Sequence, residues 1–239
     1  PDGMFHMVWT VLWNDHSIGV AHSRDLIRWS PQATVPVMQY EPNALNTWAP
    51  DLFYDAARKE FVIVWATSIP GRFPATDSLA QKTSRGRADH RLYYTTTKDF
   101  ERYAPTKLYD GGFCAIDGTI TKNGDNYYLV MKDETFFPPA RNLRVAMSKH
   151  ATGPYGPASP PFTAKDTEGP SVLQTGGYWY VYYDEYTRGH YGAVRTRDFK
   201  TWQPFSDSLQ TPRGIRHGSA FLAPQSVLRA LLALDSTAR

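Results

Sequence analysis

The chain has 239 residues, 41% hydrophobic and 21% charged, with 26 basic against 23 acidic side chains and a net charge of +3. This balance suits a folded globular chain and provides no basic block of the kind that neutralises phosphates, so nucleic acid is not an expected partner. A lone cysteine, Cys114, rules out an internal disulfide or a cysteine-built metal site, and no apolar run approaches the roughly 20 residues that span a bilayer.

Pro1-Asp2-Gly3 reads as a turn feeding an aromatic and β-branched strand, Met4 to Thr10. A turn there implies a partner strand before it. Ile18 to His22 is the next strand, followed by Ser23-Arg24-Asp25-Leu26-Ile27-Arg28-Trp29. That pattern returns as Thr97-Lys98-Asp99-Phe100-Glu101-Arg102-Tyr103 and Thr196-Arg197-Asp198-Phe199-Lys200-Thr201-Trp202, with a degenerate form at Ser148-Lys149-His150. It is a turn chemistry, with Asp binding its own backbone and the bulky residues folding back onto a sheet.

Between these markers each unit holds short strands: Leu52 to Tyr54, Phe61 to Ala66 and Arg91 to Thr95; then Thr119 to Thr121, Tyr127 to Met131 and Leu143 to Ala146; then Ser171 to Leu173, Trp179 to Tyr183 and Tyr191 to Val194. A four-stranded unit recurring about every 50 residues, after a longer first interval, predicts an all-β propeller forming a single domain over residues 1–239. The excess in the first interval is assigned to an inserted loop over residues 70–91, rich in Gly, Pro, Ser, Lys and Arg. A second long loop carries Phe136-Phe137-Pro138-Pro139, whose two Phe residues read either as a local hydrophobic plug or, with Phe136 as the candidate, as a sugar-stacking ring. After an inner strand at Ser219 to Leu222, helical spacing over residues 225–234 predicts a short helix packed on the body.

The head of each inner strand shares a frame: Trp48-Ala49-Pro50-Asp51, Asp117-Gly118-Thr119-Ile120, Glu168-Gly169-Pro170-Ser171 and His217-Gly218-Ser219-Ala220. First strands of propeller blades line the central channel, so equivalent positions converge on one mouth. The frame therefore aligns Trp48, Asp117, Glu168 and His217 around one pocket. Two carboxylates with a His and a Trp in one cleft suit acid/base hydrolysis of an acetal. Phosphate loops, nucleophile elbows and zinc-binding helices have no match in the sequence.

With these motifs in order, the chain resembles glycoside hydrolase family 43, five-bladed propellers acting on arabinofuranosides, xylosides and related glycans. The resemblance implies an inverting, exo-acting hydrolase of a terminal furanoside or xyloside on an oligosaccharide or polysaccharide. Glu168 would be its general acid and Asp117 the modulator of that acid's pKa, with Trp48, Asp51, Arg216, His217 and Phe136 binding substrate. It implies a monomer with no membrane or nucleic-acid partner, exported from the cell or to the periplasm. No cofactor or metal is expected; a structural calcium or sodium ion beside His217 is left open. The family carries its general base, an Asp usually followed by Pro, on the inner strand of the first blade, which should precede the Pro1-Asp2-Gly3 turn; Asp2 is at the wrong end to replace it. The fifth blade likewise lacks outer strands. The expectation is an N-terminally shortened propeller that binds better than it cuts, with a non-catalytic carbohydrate-binding propeller as the alternative.

Overall fold

The computed structural model describes residues 2–109, 111–212 and 214–237. Its regular structure is all β apart from one C-terminal helix and two short 3-10 turns. The first sheet holds β1 (Phe5–Thr10), β2 (Ile18–Ser23) and β3 (Ala33–Val35) in chain order. β4 (Trp48–Asp55) and β5 (Glu60–Ser68) open the second sheet, a separate hairpin of β6 (Gln81–Thr83) and β7 (Gly86–Ala88) follows, and β8 (His90–Thr97) and β9 (Lys107–Tyr109) complete it. The third sheet is β10 (Ala115–Asn123), β11 (Asn126–Asp133) and β12 (Asn142–Ser148). The fourth is β13 (Glu168–Thr175), β14 (Tyr178–Glu185), β15 (His190–Thr196) and the short β16 (Gln203–Pro204). Every pairing is antiparallel between sequence neighbours in the sheet. β4 packs beside β1 and β10, and β10 beside β13, so the innermost strands form an arc around one axis.

Packing explains the strand composition. β5 is buried at every position because its sheet has neighbours on both faces. Ile63 and Trp65 meet Ile18, Met38 and Tyr93 on one side. Val62 and Val64 meet Ile120, Leu129 and Met131 on the other. Between the third and fourth sheets, Val130, Leu143 and Val145 pack on Trp179, Val181 and Phe199. Strands covered on both faces read as continuous apolar runs rather than alternating ones.

The recurring Asp turn has the same wiring each time. Ser23, Thr97 and Thr196 accept the N–H of Leu26, Phe100 and Phe199 through their hydroxyls at 2.8, 2.9 and 2.9 Å. Asp25, Asp99 and Asp198 each accept two further N–H groups. The bulky residue takes a left-handed φ of 62°, 57° and 57°, a conformation held by those bonds. These bonds to the ionised form depress the Asp carboxyls, that of Asp99 to about 2. The turn follows the second strand of the first sheet but the third strand of the second and fourth sheets.

Three expectations change. Residues 70–91 are not featureless: they contain a 3-10 turn at Asp77–Leu79 and the β6–β7 hairpin. Arg91, buried at its end, anchors the stretch through Asp89 at 2.5 Å and Thr76 at 2.6 Å. Ser219 to Leu222 makes no strand; the segment is tied to the body by the Ala220 N–H, donated to the Ser171 hydroxyl at 2.9 Å, and by Phe221 beside Phe5. The helix α1 (Gln225–Thr237) forms, but Leu228, Leu232 and Leu234 are exposed rather than packed on the body. Val227 and Leu231, on the same spacing, are half-buried.

Candidate active site

The inner strands share a local break that builds the site. Pairing slips between Trp48 and Asp51, between Ile116 and Thr119, and between Glu168 and Ser171, a bulge that re-aims side chains at the strand head. The residue inside each bulge has positive φ: 46° at Ala49, 54° at Asp117 and 57° at Gly169, with 40° at His217 in the fourth copy. This corrects the sequence frame by one residue. Glu168 is in step with Trp48 and Ile116, whereas Asp117 occupies the bulge itself, in step with Ala49 and Gly169, and His217 repeats the positive φ outside any strand. Asp tolerates the left-handed region better than most residues. At Gly169 nothing larger fits, because a Cβ would lie 2.9 Å from the His217 ring.

The bulges interlock. Gly169 donates its N–H to Asp117 Oδ2 at 2.9 Å, and Ala49 donates its N–H to the Thr10 hydroxyl at 2.9 Å. One step along, Asp51 accepts from the Thr119 hydroxyl and the Leu52 N–H. A pocket of about 900 Å³ opens over this ring, lined by Trp13, Trp48, Asp51, Gln81, Asp117, Glu134, Glu168, Arg216 and His217 among others.

Glu168 is the best-connected group in it. Lys132, buried on β11, reaches its Oε2 at 2.9 Å and Glu134 at 2.6 Å. Arg216 Nη2 lies 2.5 Å and His217 Nε2 3.2 Å from its Oε1, while Arg216 also pairs with buried Asp184 on β14. Burial pushes the Glu168 carboxyl up, but the His217 hydrogen bond and the Lys132 charge outweigh it and hold the carboxyl at about 2. His217 moves up in return, chiefly through that hydrogen bond. Desolvation raises Asp117, and it raises Asp51 to about 6. Asp117, Glu168 and His217 offer ligand atoms within 4.8 Å of one another, close enough for one cation. Lys132 and Arg216 are each shared between Glu168 and a second carboxylate, Glu134 and Asp184.

Of the residues singled out in the sequence, Glu168, Asp117, Arg216, His217, Trp48 and Asp51 meet in this pocket. Phe136 does not line it: its N–H is donated to the Leu79 carbonyl at 2.8 Å, and its ring sits beside Phe137 and Arg141. Lys132, Glu134, Asp184 and Trp13 were missed. Lys132 and Asp184 are the ladder partners of Ile116 and Glu168, so their signal is a charge at the end of an otherwise apolar second strand.

A family model described as "Probable glycosyl hydrolase domain", of the family 43-related type, matches residues 6–223. A curated α-L-arabinofuranosidase from Bifidobacterium longum is 24% identical over 153 residues, 60% of this chain and 14% of its own length. Among solved structures, a family 43 protein from Bacillus licheniformis superposes with a TM-score of 0.66 at 18% identity, over 91% of this chain and 43% of the other. A xylan β-1,4-xylosidase from Bacillus halodurans gives 0.64 at 15%, over 86% and 40%. An α-L-arabinofuranosidase from Lactobacillus brevis gives 0.62 at 18%, over 86% and 69%. The chain thus spans only a part of the first of these relatives, and at these identities the structural likeness speaks for the propeller-like fold. Hydrolysis in this family needs no cofactor. The match over residues 6–223, on an all-β fold shared with family 43 structures, shows that the chain belongs to the family 43-related glycoside hydrolases.

Proposed function

We propose an exo-acting, inverting glycoside hydrolase that removes a terminal furanoside or xyloside from a glycan chain, with Glu168 as general acid and Asp117 as the group that sets its pKa. The observation carrying this reading is the convergence of Asp117, Glu168 and His217 within 4.8 Å in one pocket. The names of the relatives, arabinofuranosidase and xylosidase, suggest the sugar class. In the resting state Glu168 is ionised, so it must gain a proton before it can donate one to the leaving oxygen. Substrate hydroxyls that draw exposed Arg216 and His217 away from Oε1 would raise the carboxyl toward its ordinary range, with buried Lys132 still on Oε2. Asp117, held by the Gly169 N–H, stays fixed beside it. The water-activating carboxylate of an inverting enzyme stands across the sugar from the acid. In this reading it belongs on an inner strand beside β1.

The test is release of free sugar from α-1,5-arabinobiose and β-1,4-xylobiose, whose sugar leaving groups need a proton, with the anomer followed by NMR. Glu168→Gln should lower kcat by about 10²–10⁴, and a variant as fast as the parent would remove Glu168 from the acid role. The cation-saturated state of Glu168 favours a second reading, a carbohydrate-binding propeller without hydrolysis. Calorimetry separates the two, because a binder leaves the oligosaccharide intact.

A further inference from the structure

Trp13, at the tip of the β1–β2 connection, lines the pocket and yet is 71% exposed. An indole at the mouth of a cleft offers a flat apolar face to whatever enters it. Trp48, expected as the sugar platform, is already engaged. Its ring centroid lies 4.4 Å from Trp13 and 5.1 Å from His90, stacked on the latter at 27°, and its indole N–H is donated to the Trp13 carbonyl at 2.8 Å. Trp48 is therefore a backing for Trp13 rather than an open face.

The rest of the connection is fixed as well. Arg85, at the tip of the β6–β7 hairpin, donates to Asn14 Oδ1 at 2.5 Å and to the Leu45 carbonyl at 3.2 Å. The Thr47 hydroxyl donates to the Ser17 carbonyl at 2.6 Å, with the Asp15 carbonyl 3.0 Å away as the alternative acceptor. A ring held in place before the ligand arrives loses little freedom on binding. Gln81, on the same hairpin, brings an amide to the pocket for hydroxyl groups. At about 900 Å³ the pocket is at the upper end of the 300–1,000 Å³ usual for ligand sites, roomy for one sugar ring.

We propose that Trp13 is the stacking platform for a second sugar unit, held by Trp48 and by the Arg85 clasp, so that the site grips an oligosaccharide whose terminal unit lies at Asp117 and Glu168. The proposal rests on the glycoside hydrolase reading and deepens it. It gives the inserted hairpin a purpose, since Arg85 and Gln81 both come from it.

The experiment is calorimetry in a Glu168→Gln background, which suppresses turnover, with arabinose and α-1,5-arabinotriose, xylose and β-1,4-xylotriose. The protein should prefer one trisaccharide over its monosaccharide. Trp13→Ala should shrink that preference about tenfold, Trp13→Phe should retain most of it, and Arg85→Ala should lose part. An undiminished preference in Trp13→Ala overturns the platform while leaving the hydrolase reading intact. An unchanged Arg85→Ala overturns the clasp. Absence of binding to all four sugars overturns both the proposal and the reading beneath it. Trp13 is exposed, so Trp13→Ala should keep the circular dichroism and Tm of the parent, and a binding loss accompanied by a lower Tm would count against a platform.

Discussion

Glu168 and Asp51 show how burial and partners divide carboxylates in one pocket. For Glu168 the surrounding charge outweighs desolvation, so the group is acidic; for Asp51 desolvation wins over the Thr119 and Leu52 hydrogen bonds, and its carboxyl rises to about 6. The first balance rests on His217, and Asn tolerates the positive φ at that position. His217→Asn should raise the Glu168 carboxyl, read by carboxyl ¹³C NMR titration of the free protein; a Glu168 carboxyl that does not move would detach the balance from His217. The Asp51 penalty follows the opposite sign. Stability that is full below pH 3.8 falls as pH rises through about 6, because the folded state must then hold a desolvated charge. Asp51→Asn should therefore raise Tm at pH 7.5, by about 2–4 °C for each kcal/mol regained, and leave it nearly unchanged at pH 3.5. An equal shift at both values would assign the effect to packing instead.

At the scale of elements, the bulge at the head of each inner strand turns a row of strands into a site. It places Asp117 in the left-handed region with its carboxylate on the Gly169 N–H, and it brings the His217 ring against Gly169. Gly169→Ala would add a Cβ where φ is 57° and where the ring is 2.9 Å away. It should cost about 1–3 kcal/mol and displace His217, so denaturant midpoint and the Glu168 titration should change together. A midpoint shift with an unaltered titration would mean that His217 keeps its place. Most of the strands were legible in the sequence, the run at Ser219 to Leu222 being the exception, and the Asp turn was legible because its residues bind their own backbone. The bulge register was not. A Gly after a polar residue looks alike in Asp117-Gly118 and Glu168-Gly169, although positive φ falls on Asp117 in the first and on Gly169 in the second; only cross-strand pairing tells them apart.

At the scale of the molecule, four sheets pack side by side around the pocket, and the chain beyond Pro224 adds little to them. α1 leaves Leu228, Leu232 and Leu234 exposed. Removing residues 225–239 should change stability by less than about 0.5 kcal/mol, read as an unaltered Tm; a clear loss would show that the helix packs in solution. The sequence by itself determined the all-β class, the repeat, the turns and the alignment of Trp48, Asp117, Glu168 and His217, because propensity, periodicity and turn chemistry act over neighbouring residues; Asp51 and Arg216 were added by the family resemblance. Only the tertiary structure decided that Lys132 and Asp184 complete the charge around Glu168, that Phe136 stands apart, and that Trp13 rather than Trp48 presents the open ring. Those outcomes depend on which strands lie opposite one another and which loops meet across the pocket, and contacts between residues distant in the chain leave no local trace in it.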